Sequence, residues 1–116
     1  KPARKVLIIE DNTLQYRVTR QHLEKTRDGA FAVDWASTFD DGLQRLSAGG
    51  YDVCLLDYQL GVRDGLELLR EARARECRTP VIFLTADASL EVDVAAMEAG
   101  AADYLVKGEI STRLLE

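Results

Sequence analysis

The sequence predicts a doubly wound α/β fold, in which helices cover both faces of a parallel, five-stranded sheet. Short apolar, β-rich runs alternate with helical stretches five times along the 116 residues. Most of these runs are apolar along nearly their whole length, as expected of strands buried on both faces. Right-handed crossovers between parallel strands leave few topologies.

The five predicted strands are short runs bounded by turn or breaker residues. The first closes with two acids and an asparagine, and the fourth begins at Pro80, a place where the missing N–H of proline does no harm. The five segments are KVLIIEDN at 5–12, FAVDWA at 31–36, YDVCLLD at 51–57, PVIFLT at 80–85 and ADYLVK at 102–107. None exceeds eight residues, which favours strands over helices.

The segments between the strands carry helical spacing and helix-end signals. Leu14 and Val18 lie four residues apart, and Thr38 with Asp41 three residues later resembles a capping box. Gly49-Gly50 ends that second helix. The predicted helices run from 13 to about 25, from Thr38 through Leu46, from 65 to about 75, over 90–99, and from 110 onward. The last has room for only about two turns and is therefore truncated.

Composition and charge exclude several classes of protein. With 47% apolar and 30% charged residues the chain is globular, and its length fits one domain. A net charge of −5 disfavours direct binding to nucleic acid or to an anionic membrane surface. We see no membrane span or signal peptide. Cys54 and Cys77 lack metal-site spacing, which favours free thiols in the cytoplasm, although a disulfide stays open.

Polar side chains end four of the five predicted strands. Glu10 and Asp11 follow the first, and the others end with Asp57, Thr85 and Lys107. The carboxyl ends of parallel strands meet at one edge of the sheet, where open α/β sheets bind their ligands. We therefore expect these side chains to converge on Asp57.

This set of side chains is suited to a cation and a phosphoryl group. Three neighbouring carboxylates repel one another unless a positive charge lies among them, and oxygen ligands in a water-accessible site favour Mg²⁺. An ammonium group and a hydroxyl beside one carboxylate could stabilise phosphoryl transfer onto it. Taken singly, each residue also has a structural explanation, such as helix capping by Glu10, Asp11 and Asn12.

The set Glu10-Asp11, Asp57, Thr85 and Lys107, with Asp64-Gly65 after the loop, resembles the receiver domains of two-component response regulators. The resemblance covers almost the whole chain and implies a flavodoxin-like sheet of order 2-1-3-4-5. It implies a phosphorylation-dependent signalling switch in a phosphorelay. Such a domain is a regulatory phosphoacceptor rather than a metabolic enzyme, with Mg²⁺-dependent self-phosphorylation and dephosphorylation of its own.

The resemblance also implies a role for each site residue. Asp57 is the phosphoacceptor, and Lys107 pairs with the phosphoryl group. The Mg²⁺ ligands would be Glu10, Asp11, Asp57 and the backbone carbonyl of Gln59.

Switching and tuning residues follow from the same resemblance. Thr85 would turn to hydrogen-bond the phosphoryl group, and the aromatic ring of Tyr104 would follow it, although a core aromatic is the alternative for Tyr104. Gln59, Ala86 and Asp87 would tune dephosphorylation through water access.

Two glycines depart from the family pattern. Gly61 stands where the loop after the acceptor often has proline, which loosens the loop. Gly108 stands where a cis-proline often follows the active-site lysine. A non-proline cis bond costs about 2.5–4 kcal/mol, so we expect a trans Lys107–Gly108 peptide.

The expected partners are a sensor histidine kinase or phosphotransfer domain, and an effector domain in the same chain or in a partner protein. Residues 1–116 would be one receiver domain cut from a longer multidomain chain. A homodimer could form through the predicted fourth helix, fifth strand and fifth helix. The helical charges at Glu67–Arg70 and Glu71–Arg75 predict a solvated, ion-paired face.

Two alternatives remain open from the sequence. One is an interaction module with the same fold that signals without phosphorylation; the acid set argues against it, while Gly61 and Gly108 argue weakly for it. The other is a small α/β phosphatase or cofactor-binding protein. The residues after the first strand are Glu-Asp-Asn rather than a phosphate loop, and Gln59 stands where a dehalogenase-type phosphatase needs a second aspartate.

Overall fold

The strands and helices of the computed structural model follow the predicted alternation. The structure describes residues 4–25, 31–85 and 95–106, with the side chains of 104–106 left aside. The strands are β1 (Arg4–Ile9), β2 (Phe31–Ala36), β3 (Val53–Asp57), β4 (Gln59–Leu60), β5 (Arg63–Asp64), β6 (Val81–Thr85) and β7 (Asp103–Val106). The helices are α1 (Thr13–Glu24), α2 (Phe39–Ala48) and α3 (Gly65–Ala74), and residues 95–98 are also helical. The predicted fifth helix lies outside the described residues.

Five parallel strands form the central sheet in the order β2-β1-β3-β6-β7. This order agrees with the predicted 2-1-3-4-5, because β6 and β7 are the fourth and fifth predicted strands. The register pairs Ile9 of β1 with Leu56 of β3, and Asp57 with Leu84 of β6. The carboxyl ends of β1, β3 and β6 therefore lie side by side.

The sheet buries apolar side chains on both faces, as its sequence predicted. Alternate residues of one strand enter opposite layers because successive strand side chains point to opposite faces. Leu7 and Ile9 pack in the cluster that contains α2 and α3 residues, whereas Val6 and Ile8 pack in the cluster of α1.

Helices α1, α2 and α3 each begin at a side-chain cap. The Asn12 Oδ1 atom accepts from the Gln15 amide at 3.0 Å, and the Thr38 hydroxyl accepts from Asp41 at 3.1 Å, as predicted. The Asp64 carboxylate caps α3 by accepting from the Glu67 amide at 2.8 Å. The caps at Asn12 and Asp64 fix where α1 and α3 begin relative to the carboxyl edge of the sheet.

Strands β4 and β5 form a small antiparallel hairpin that the sequence analysis missed. Gln59 pairs with Asp64 and Leu60 with Arg63 around the two-residue turn Gly61-Val62. Gly61 has φ +66°, and its neighbour Val62 has no positive φ, as in a type II′ turn with glycine first. Proline is confined to φ near −65°, so the proline common in the family could not adopt this backbone.

The predicted ion pairs on α3 are wrong in their partners. Glu67 and Glu71 both approach Arg63 of the hairpin, at 2.5 and 3.9 Å. Arg63 lies over the first turns of α3, so its guanidinium pairs with both carboxylates. The sequence had suggested Arg70 and Arg75 as their partners. The two cysteines are free, as expected, and both are buried, which raises the pKa of the Cys54 thiol.

Candidate functional site

The carboxylates of Glu10, Asp11 and Asp57 come together at the carboxyl edge of the sheet. One oxygen from each lies within 4.8 Å of the others. Glu10 and Asp57 are 1% and 5% exposed, whereas Asp11 is open to solvent. The pairing of β1 with β3 produces this arrangement, since Ile9 and Leu56 are register partners and the acids follow them directly.

Backbone hydrogen bonds hold Glu10 against β2. Its amide donates to the Ala36 carbonyl at 3.0 Å, and its carbonyl accepts from the indole N–H of Trp35 at 2.8 Å. The Glu10 carboxylate accepts from the Asn12 amide at 3.3 Å. Glu10 therefore stays tied to the sheet while the chain turns into α1.

Trp35 connects the acid cluster to helix α1. Its ring stacks on Tyr16 with centroids 4.1 Å apart and an interplanar angle of 4°. The contact between Trp35 and Glu10 was not predicted from the sequence. The available signal was the position of Trp35, next to last in a strand whose carboxyl end borders the site.

Backbone hydrogen bonds and a close approach of α3 position Asp57. The Tyr58 amide donates to the Leu84 carbonyl at 2.9 Å, and the Gly65 amide donates to the Tyr58 carbonyl at 2.6 Å. A Cβ atom on Gly65 would collide with the backbone oxygen of Asp57, so only glycine allows α3 to begin this close. The Gln59 amide also approaches the Asp57 carboxylate, at 3.4 Å.

The remaining predicted site residues are described to different extents. Thr85 ends β6 beside the Asp57 strand and is 5% exposed. Tyr104 lies on β7 opposite Phe83, but its side chain is not among those described. Lys107, Ala86 and Asp87, and with them the predicted trans Lys107–Gly108 peptide, lie outside the described residues.

The three carboxylates fit a small divalent cation. Opposite ligands of an octahedral Mg²⁺ lie about 4.2 Å apart, twice the Mg–O distance. The separation of at most 4.8 Å thus needs only a small inward movement. The exposed Asp11 leaves an open side, which suits an ion that keeps several waters. In the part of the chain that the structure describes, this is the only group of three acidic, histidine or cysteine side chains this close together.

None of the described helices is long and apolar enough to cross a membrane.

Comparisons with known proteins agree with the fold. The family model for the response regulator receiver domain matches residues 6–116. The transcriptional regulatory protein QseB of Haemophilus influenzae is 36% identical over 114 residues, which are 95% of this chain and 50% of QseB. The chain thus spans about half the length of this relative.

Solved structures give the same result. A CheY-like receiver domain protein from Methanospirillum hungatei superposes with a TM-score of 0.82 at 31% identity, over 97% of this chain and 88% of the other. A BeF3-activated DrrB receiver domain superposes with a TM-score of 0.80 at 26% identity, over 97% and 92%. The chain belongs to the receiver domains of two-component response regulators, whose role is regulatory.

Proposed function

We propose that this domain is a phosphorylation-dependent switch that accepts a phosphoryl group on Asp57 from a histidine kinase or phosphotransfer protein. The observation that carries the proposal is the convergence of Glu10, Asp11 and Asp57 at the open edge of the sheet. An acidic cluster of this kind has no evident use in stability, because like charges held together are unfavourable in the absence of a cation.

The proposed chemistry is transfer of one phosphoryl group between two nucleophiles. An Asp57 carboxylate oxygen forms a bond to phosphorus while the phosphorus–nitrogen bond of a phosphohistidine breaks. The histidine nitrogen retains the electron pair of the broken bond, and the product is an aspartyl phosphate. Asp57 suits this role because Gly65 and Tyr58 fix its backbone beside an exposed carboxylate, Asp11.

Mg²⁺ is the proposed cofactor, held by Glu10, Asp11, Asp57 and the backbone carbonyl of Gln59. Its charge would neutralise the phosphoryl oxygens as they approach the carboxylates. The carboxylate fit described above supports this assignment. Gln59 lies two residues after Asp57 and its amide already faces that carboxylate, so its loop borders the site.

Thr85, Lys107 and Tyr104 are proposed to complete the switch. Thr85 is the last residue of β6, the strand next to that of Asp57, and its hydroxyl could donate to a phosphoryl oxygen. We place Lys107 as a second positive group because it follows β7, which is adjacent to β6. The ring of Tyr104 would change orientation when Thr85 moves. Dephosphorylation would be tuned by Gln59, Ala86 and Asp87, which would control how fast water reaches the phosphoryl group.

The output is proposed to belong to an effector domain outside these 116 residues or to a partner protein. The half-length match to QseB, a transcriptional regulatory protein, supports an effector in the same polypeptide. A homodimer through the fourth helix, fifth strand and fifth helix stays a prediction. We also propose a cytoplasmic setting, which the two free cysteines support.

The test combines labelling with a phosphoryl analogue. Treatment with a small phosphodonor and Mg²⁺ should add one phosphoryl group by mass spectrometry, and beryllofluoride with Mg²⁺ should shift amide resonances around Asp57. Asp57→Asn should abolish both effects. Asp52→Asn is a matched control, because Asp52 precedes the same strand at the opposite edge, where it accepts from the Lys5 amide.

Labelling that persists in Asp57→Asn would refute Asp57 as the acceptor. A wild-type protein that responds to neither Mg²⁺ nor beryllofluoride would instead favour an interaction module that signals without phosphorylation.

A further inference from the structure

Arg63 joins the β4–β5 hairpin to two helices at once. Its guanidinium lies 3.5 Å from the centroid of the Phe39 ring, at the start of α2. It also lies 3.7 Å from Asp40 of that helix, and pairs with Glu67 and Glu71 on successive turns of α3. No other arginine in the described residues makes this combination of a ring contact and three ion pairs.

The hairpin needs such an anchor because its own structure is weak. Each strand has two residues, and a short isolated hairpin is marginally stable at best in water. Its turn contains Gly61 and the fully exposed Val62, which makes no apolar contribution at the tip. Leu60 is buried in the core and holds the first strand. In the second strand Asp64 caps α3, and Arg63 adds the contacts that reach both α2 and α3.

The contacts of Arg63 form a network rather than one exposed ion pair. An isolated surface pair contributes little, but a planar guanidinium that stacks on a ring and serves several carboxylates loses less freedom per contact. The hydrogen bond from Arg63 lowers the pKa of the Glu67 carboxyl, as expected of an ion pair that is formed at neutral pH. The half-exposed guanidinium therefore holds a defined position over the helices.

The hairpin is also the path from the acceptor to α3. Gln59 opens β4 two residues after Asp57, and Asp64 closes β5 as the cap of α3. A shift of Arg63 would thus move both the Gln59 backbone and the start of the helix that contacts Asp57.

We infer that Arg63 is a positioning residue, which fixes the loop from Tyr58 to Asp64 in the geometry that the acceptor site uses. This inference rests on the proposed function in one respect, namely that the Gln59 carbonyl of this loop is a metal ligand. The contacts of the Arg63 side chain would supply the rigidity that proline gives to related loops. Unlike proline, they are compatible with the positive φ of Gly61.

The test compares Arg63→Gln with Arg45→Gln. Arg45 is a matched control, because it is also half-exposed and pairs with an acid, Asp41, at 3.1 Å. Amide hydrogen exchange of Gln59 and Gly65 is followed by NMR in the metal-free protein, and the Mg²⁺ dissociation constant is measured separately. Arg63→Gln should increase the exchange rate of both amides about tenfold, which corresponds to the loss of one ion pair and one cation–π contact. It should also weaken Mg²⁺ binding severalfold. Arg45→Gln should change neither.

Each outcome decides the inference. Unchanged exchange in Arg63→Gln, or faster exchange with unchanged Mg²⁺ affinity, overturns it. A wild-type protein that binds no Mg²⁺ refutes the metal part of the proposed function, and the exchange rates still decide whether Arg63 fixes the loop. If Arg63→Gln fails to fold, Arg63→Lys keeps the charge without the planar fork and should give a smaller acceleration of the same two amides.

Discussion

Gly65→Ala tests whether the close approach of α3 to Asp57 shapes the proposed acceptor site. The added Cβ would collide with the Asp57 backbone oxygen, and it would lie 3.0 Å from Phe83 Cε1 and 3.1 Å from Leu56 Cγ. None of these atoms is the free end of a flexible chain, since one is backbone and the others are in the core. The start of the helix must therefore move away from the strand.

The expected cost follows from this overlap. Inserting a methyl group into a well-packed site costs typically about 1–3 kcal/mol, and we take about 2 kcal/mol. An unfolding entropy of about 2.1 cal/mol/K per residue gives about 0.24 kcal/mol/K for 116 residues. The melting temperature should therefore fall by about 8 °C. Because the displaced atom belongs to Asp57, the Mg²⁺ dissociation constant should rise as well.

The assay is thermal unfolding by circular dichroism together with Mg²⁺ titration. Gly49→Ala is the control: it has φ +83° with no neighbour within 4 Å, so it should lose stability through backbone strain alone. Its Mg²⁺ affinity should equal that of the wild type. A Gly65→Ala protein that melts within about 2 °C of the wild type, or melts lower with unchanged Mg²⁺ affinity, would show that the close approach is not what positions Asp57.

Three further outcomes are expected. Trp35→Phe should lower the free energy of unfolding in urea by about 1–3 kcal/mol, because the Glu10 carbonyl loses its indole donor; unchanged stability would contradict this. Glu76→Gly should raise the melting temperature by the equivalent of about 1 kcal/mol, because Glu76 follows Arg75, the C-cap of α3, with φ +64°, and Glu76→Ala should give no such gain. The Cys54 thiol, buried and with a raised pKa, should react with a thiol reagent only as fast as the protein opens, and rapid labelling in the native state would show otherwise.

Periodicity and strand-end chemistry were enough to predict the sheet. Each of the runs that became β1, β3 and β6 has four consecutive apolar residues, and a sheet covered on both faces buries such strands. The acids after β1 and at the end of β3 were then expected to lie close together, because the carboxyl ends of parallel strands lie at one edge of the sheet. Those inferences depend on the local residue pattern and on the order of the strands, both of which can be read from the sequence.

The hairpin and its arginine could not be predicted in the same way. Gln59–Leu60 and Arg63–Asp64 are too short to show alternation, and Gly61 suggested only looseness. The partners of Arg63 lie on two different helices, so helical spacing favoured Arg70 and Arg75 instead. The contact between Trp35 and Glu10 joins residues 25 apart and depends on side-chain direction in a folded sheet.

The acid cluster should lower the stability of the metal-free fold and favour Mg²⁺ binding. Asp11→Asn distinguishes these two effects. At 4.8 Å in water-like surroundings, two like charges repel by about 0.9 kcal/mol, and Asp11 faces two such neighbours. The two repulsions sum to about 1.8 kcal/mol, and salt screening at the exposed Asp11 reduces this, so without metal Asp11→Asn should be more stable than the wild type by about 1 kcal/mol. With Mg²⁺ at about 100 times its dissociation constant the wild type gains about 2.7 kcal/mol, and the variant, short of one ligand, should gain much less. The order of melting temperatures thus inverts between chelator and Mg²⁺, while Asp52→Asn keeps the full Mg²⁺ increment. If Asp11→Asn is destabilised in chelator, or gains as much from Mg²⁺ as the wild type, then these carboxylates do not form a cation site.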